Sequence, residues 1–224
     1  IELYFGAFNN GYEGVTALYV DDVSLGNCSG IPQPQPPEPP PTVCSDIVTN
    51  GGFEVQDSSW MLPITPYPAS YSDELYNMGD WSMRTGIDDP EINELSFSSA
   101  IQRVHIPADA TAADLAFYLY PQSSEDYKML IPESIETVLA PKAKSMLYGD
   151  AQWVLILDKH GRELQRLVST RSNEQSWRDY QFDLLPYKNQ TILLYFGTFN
   201  NGFDGRTTMN VDDVTLNVCT PEVD

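Results

Sequence analysis

Carboxylates close to a glycine-rich turn are the residues of this chain with the most definite chemistry. Glu54 ends the run Val48-Thr49-Asn50-Gly51-Gly52-Phe53-Glu54, and Asp212 and Asp213 sit in Val211-Asp212-Asp213-Val214 near the other end of the sequence. If the first and last strands of one domain are neighbours, Glu54, Asp212 and Asp213 meet. With Asn50 and carbonyls of the Asn50-Gly51-Gly52 turn they form a hard oxygen cage suited to Ca2+. Three close negative charges with no cation repel one another. That favours a metal over the alternative of solvated carboxylates at strand ends.

A second group of residues could bind rather than react. Trp60, Tyr67, Tyr71, Tyr76 and Trp81 cluster in sequence after the Glu54 motif. Sugar sites need aromatic platforms with polar neighbours, and Tyr67-Pro68-Ala69-Ser70-Tyr71 is polar and loop-like. Trp60, Tyr67, Tyr71 and Trp81 are the candidate ligand-binding residues; the competing reading packs these rings against the edge of the fold. Trp153 and Trp177 lie in strand patterns and read as core. Catalytic residues are not apparent. His105 and His160 have no Ser or Cys motif beside them, and HExxH, GxSxG and phosphate-cradling glycine loops are absent from the sequence. No carboxylate pair stands out for glycoside hydrolysis. The chain therefore reads as a non-enzyme.

Charge narrows the partners. The 224 residues carry 12 Lys+Arg against 32 Asp+Glu, a formal charge of −20 and a pI near 4.1. Such a surface repels phosphate backbones and anionic lipids, and attracts cations. No apolar run approaches the ~18 residues that cross a bilayer.

The elements that must position these groups are announced by an internal repeat. Residues 3–28 read LYFGAFNNGYEGVTALYVDDVSLGNC and residues 194–219 read LYFGTFNNGFDGRTTMNVDDVTLNVC, aligned without a gap at an offset of 191. A period of that length is a whole domain rather than a solenoid unit. Residues 1–28 are thus expected to be the last strands of a preceding repeat, or strands donated to a neighbour. Residues 29–42 form a Pro-rich linker, 43–220 the complete domain, and 221–224 the start of the next linker. The stretch IPQPQPPEPPPT should be polyproline II, a semi-rigid spacer of roughly 3.1 Å per residue.

The cysteines fit this division. Cys44 opens the complete domain and Cys219 closes it, so they are expected to pair across its first and last strands; Cys28 is the counterpart of Cys219. A bond closing a loop of about 175 residues is strongly stabilising on the chain-entropy model. Disulfides persist in oxidising compartments, which points to a secreted or cell-surface protein.

Within the domain, strand signals dominate: 46–54, 80–86, 97–106, 114–120, 152–158, 163–170, 177–184, 191–199 and 207–218 are β-rich runs bounded by Gly, Pro, Asn and Asp. The pattern implies an all-β jelly-roll β-sandwich. Residues 122–148 break it. There IPESIETVLA has helical spacing between Pro132 and Pro141, a short helical insertion that reads either as a lid over the sandwich edge or as a contact surface for the next subunit.

The NGGFE start, WVLILD, YFGTFNNGFDGRTTMNVDDVTL and the Pro-rich linker together resemble carbohydrate-binding-module-like, galactose-binding-like jelly rolls. The likeness is greatest to tandem, Pro-linked copies in large secreted or surface bacterial proteins. It is specific at the two ends of 43–219 and weak over 122–148. It implies a non-catalytic module with a structural Ca2+ between Glu54 and the Asp212–Asp213 pair. The leading expectation is a structural or adhesive repeat of a surface fibre, sheath or stalk, with neighbouring copies of itself as partners. The alternative is a module that binds a polysaccharide.

Overall fold

The computed structural model describes residues 3, 5, 18–25, 41–125, 131–132 and 148–222. The chain divides into two units, Ile1–Pro39 and Pro40–Asp224. Among the described residues the second contains ten strands: β1 (Thr42–Asp46), β2 (Ser70–Ser72), β3 (Ser82–Gly86), β4 (Leu95–Ile106), β5 (Ala112–Ser123), β6 (Ala151–Asp158), β7 (Glu163–Thr170), β8 (Arg178–Asp183), β9 (Gln190–Asn201) and β10 (Thr207–Pro221). They form two antiparallel sheets. The first runs β2-β3-β10-β5-β8, with β1 also paired to β10; the second runs β4-β9-β6-β7. This is the all-β, jelly-roll-type sandwich expected from the strand spacing.

Alternation in the sequence builds the core. On β5, Ala113, Leu115, Phe117 and Leu119 are buried between the sheets, while Ala116, Tyr118 and Tyr120 lie on the opposite face. On β10 the inward set is Met209 and Val211, and then Val214, Leu216 and Val218. A β-bulge between Asp212 and Thr215, with Asp213 at φ 50°, accounts for the change from odd to even positions. Phe117 meets Phe196 of β9 edge-on at 5.1 Å, joining the two sheets at the centre of the core. Strands β6 and β9 are buried on both faces. Val154, Ile156, Leu194 and Phe196 enter the main core, whereas Trp153, Leu155, Leu193, Tyr195 and Phe199 form a second apolar cluster.

The chain ends of the sandwich meet as expected. Cys44 and Cys219 are register partners on β1 and β10 and are joined by a disulfide. Asp46 Oδ1 accepts the Val48 and Leu216 backbone N–H groups, fixing the exit of β1 against β10.

Two local expectations change. The run 46–54 is not a strand beyond Asp46. Asn50 and Phe53 adopt positive φ (53° and 58°), and Gly51 packs so closely on the Val214 carbonyl of the bulge that a Cβ would collide with it. The segment is therefore a loop moulded onto β10. Conversely, β2 begins within the loop-like Tyr67–Tyr71 stretch and ends at Ser72, just beyond it; three residues are too few to show an alternation. Of the Pro-rich linker expected at 29–42, residues 29–40 lie outside the described residues and Thr42 already belongs to β1; residues 133–140 of IPESIETVLA lie outside them as well. Among the described residues, no helix is long and apolar enough to cross a membrane.

Candidate functional site

Glu54, Asp212 and Asp213 each accept hydrogen bonds from the segment Asn77–Trp81. Glu54 accepts the Asp80 N–H on both oxygens and the Trp81 N–H on Oε1, all at 3.1 Å. Asp212, fully buried on β10, accepts the Asn77 and Met78 N–H groups on Oδ2 and the Asp213 N–H on Oδ1. Burial lifts its carboxyl to about 6 against the pull of those donors. Asp213 Oδ2 takes the Asn77 side-chain amide at 2.7 Å. Gly52 lies between the groups: a Cβ there would stand 3.8 Å from Glu54 Cγ and 3.9 Å from Asp213 Oδ1. Asn50 is engaged elsewhere. Its amide closes its own loop on the Val55 backbone and reaches Asp57. Among the described residues no three acidic, His or Cys side chains come close enough to cage a metal by themselves.

The aromatic candidates divide. Trp60 is 3% exposed, packs on Phe53 and Phe196, and donates its ring N–H to the Asn50 carbonyl. It is a core residue and not a platform. Tyr71 is half-buried against the same Phe53 and donates its hydroxyl to the Asp57 carbonyl; burial is the main cause raising its phenol pKa. Tyr67 is half-buried, and desolvation followed by a hydrogen bond to Glu94 raises its phenol as well. Trp81 is half-buried beside the Glu54 contact. These rings do not form one surface.

A different set does. The register across the first sheet places Ser70, Arg84, Asn210 and Tyr120 in one row over β2, β3, β10 and β5. Gly86, Thr208 and Gln122 form the next row. These positions alternate with the core residues Met83, Met209 and Leu119, so both rows occupy the outer face. Arg84 Nη1 binds Glu74 Oε2 at 3.0 Å and Asp88 Oδ2 at 2.6 Å. Arg206 Nε donates to the Asp88 carbonyl at 3.1 Å. Two cavities, of about 210 and 190 Å³, adjoin at Asp88 and Gln122, which line both, and together outline a groove. Tyr120, the register partner of the cavity-lining Asn210, meets the half-buried Trp177 edge-on at 5.6 Å. Charge-paired forks, amides and hydroxyls flanked by an aromatic ledge match the alternating hydroxyls and apolar ring faces of a sugar.

Sequence reading placed Trp177 in the core and did not single out Arg84, Asn210 or Tyr120. They come from four distant stretches, and only the register joins them. The one readable sign was the outward half of the β5 alternation, Tyr118 and Tyr120.

The FNNG motif serves a buried polar network at the other end of β9. Asp150 Oδ1 accepts the Asn201 N–H at 2.7 Å and its Oδ2 the Asn200 amide at 3.1 Å. Glu125 accepts the Asp150 N–H at 2.6 Å, the Asn201 amide at 2.9 Å and Arg171 Nη1 at 2.8 Å. Burial pushes the Asp150 carboxyl up to about 7.

No protein-family model matches the chain, and no curated protein matches it either. Solved structures do. TmCBM61, solved in complex with β-1,4-galactotriose, is 13% identical over 77% of this chain and 97% of its own, with a TM-score of 0.50. The CBM22-1 xylan-binding domain of Paenibacillus barcinonensis Xyn10C is 12% identical over 78% and 94%, with a TM-score of 0.41. The enzymatically active domain of bacteriophage CBA120 tailspike protein 4 is 11% identical over 77% of this chain but only 21% of its own, with a TM-score of 0.45. The first of these shares the β-sandwich architecture with residues of Pro40–Asp224.

Proposed function

We propose that the sandwich is a non-catalytic carbohydrate-binding module of a secreted or surface-displayed protein, and that a polysaccharide chain lies in the groove on the outer face of the first sheet. The groove carries the reading. Its two cavities adjoin at Asp88 and Gln122, with Arg84 lining one of them, and Trp177 offers a ring against Tyr120. Arg84 is held by two carboxylates, so its remaining donors are oriented before a ligand arrives, which lowers the ordering cost of binding. TmCBM61, the galactotriose-bound neighbour, has a sandwich of the same kind.

The test is native affinity electrophoresis of the 224-residue chain in gels containing plant and microbial polysaccharides. At least one polysaccharide should retard the chain. Trp177→Ala and Tyr120→Ala should each weaken that retardation about tenfold, the loss expected for roughly 1.4 kcal/mol of ring contact. Tyr67→Ala should leave it unchanged. Absence of retardation in every gel, or retardation insensitive to both ring deletions, removes the reading.

Cohesion within a fibre, sheath or stalk is the second reading, favoured by the repeated closing strands at residues 3–28. Under either reading a structural Ca2+ fits best between Glu54 and Asp213 Oδ1, with the remaining oxygens from backbone carbonyls and water. Asp212 would then support the site from behind, because it is fully buried, whereas Glu54 is exposed and keeps lone pairs beside the N–H groups it accepts.

A further inference from the structure

Residues 18–25 expose the very side chains that their repeat partners bury. Leu18, Val20, Val23 and Leu25 are 52%, 46%, 52% and 69% exposed, and Leu3 and Phe5 are 56% and 53% exposed. Their counterparts Met209, Val211, Val214, Leu216, Leu194 and Phe196 are all 1% exposed or less. The backbone at the aspartate pair is nevertheless the same, although 18–25 is not part of a strand. Asp22 has φ 49° where Asp213 has φ 50°. The Asp22 N–H donates to Asp21 Oδ1 at 2.8 Å, just as the Asp213 N–H donates to Asp212 Oδ1 at 2.7 Å. Residues 18–25 thus carry the turn of the β10 bulge while their apolar side chains stay exposed.

We propose that residues 3–28 are the two closing strands of another sandwich, and that they dock into a β-sandwich body of this domain's own kind that lacks its last two strands. The topology dictates how. β9 lies between β4 and β6, and β10 between β3 and β5. A body without them has one open slot in each sheet, and each slot has two unpaired edges. One hairpin closes all four edges, buries its six apolar side chains, and brings the Asp21 carboxylate to N–H groups equivalent to those of Asn77 and Met78. Insertion into slots also discriminates: a finished sandwich, including the one at 43–220, offers no vacancy.

Hydrogen exchange tests this. In the monomeric 224-residue chain, amides 18–25 should exchange rapidly while amides 209–216 stay protected. In a tandem chain with a second copy of residues 42–191 joined ahead of Ile1, amides 18–25 should gain at least about a hundredfold in protection, as strands inside a cooperative core do. Cys28 should also stop reacting with maleimide after refolding with oxidised glutathione, which accepts the two electrons of the new disulfide. Rapid exchange at 18–25 in a tandem chain whose 209–216 amides are protected overturns the proposal. So does protection of 18–25 in the monomeric 224-residue chain. A Leu18→Asp/Val20→Asp variant covers the case of a tandem chain that fails to fold. Its melting temperature should equal that of the parent, and a drop overturns the proposal as well.

Discussion

Asp150→Asn isolates the energetic role of the FNNG network. Asp150 is fully buried and its carboxyl is lifted to about 7, first by burial and then by the nearby Glu125 charge, with the Asn201 N–H acting in the opposite direction. In the unfolded chain it returns to its ordinary value of 3.8. Between those values the native state holds a proton that the unfolded state releases, so the contribution of Asp150 to stability falls as pH rises. At about 1.4 kcal/mol per unit over roughly three units, the loss totals about 4 kcal/mol and levels off above pH ~7. Asn keeps the shape and does not titrate. The difference in unfolding free energy between Asp150→Asn and the parent, from urea titrations at pH 5, 6, 7 and 8, should therefore grow by about 2 kcal/mol from pH 5 to 7 in favour of the variant, and change little beyond. Asp212, raised to about 6, titrates in both proteins and cancels. A difference that stays flat from pH 5 to 8 would show that Asp150 is ionised in the native network, and the reasoning would fail.

The Cys44–Cys219 bond spans 175 residues, for which the chain-entropy relation gives about 5 kcal/mol. Replacing both cysteines with Ala should lower the urea-unfolding free energy by an amount of that order, and a loss below ~1 kcal/mol would mean that the β1–β10 ladder alone holds the ends. Chelation with EGTA should lower the melting temperature of the parent but not of Glu54→Gln. Equal responses in the two proteins would remove the proposed Ca2+.

What the sequence disclosed was whatever is written locally. Strand β7 falls at 163–170, as its β-rich run foretold, and Cys44 and Cys219 pair as the repeat implied. Glu54, Asp212 and Asp213 share one end of the sandwich because short motifs carry them there. Trp60 misled because an aromatic in a polar stretch looks like a platform, while its burial depends on Phe53 and on Phe196, 136 positions away. Arg84, Asn210, Tyr120 and Trp177 were hidden for the same reason: no single stretch shows a groove whose walls are set by register.

The repeat itself separates framework from groove. Where the two copies agree, they agree on what the central strands require: LYFG, FNNG and VDDV supply core side chains, the acceptors and donors around Asp150, and the bulge. Where groove residues come from this part of the chain, the copies part company. Arg206, Thr208 and Asn210 line the groove, and their counterparts are Val15, Ala17 and Tyr19. The copies also differ at buried framework positions, Thr198 against Ala7 and Val218 against Asn27, but all three groove positions change in size and polarity. Modules that share a fold and bind different sugars require such changes in the groove. If the groove is the binding surface, exchanging Arg206, Thr208 and Asn210 for Val, Ala and Tyr in the complete domain should shift which polysaccharide retards it; Arg206→Val and Thr208→Ala should leave the melting temperature within a few degrees of the parent, whereas Asn210→Tyr lowers it, because the buried Asn210 amide holds the Leu75 carbonyl and the Ser82 hydroxyl. A shift in melting temperature with an unchanged polysaccharide profile would return these three residues to a structural role.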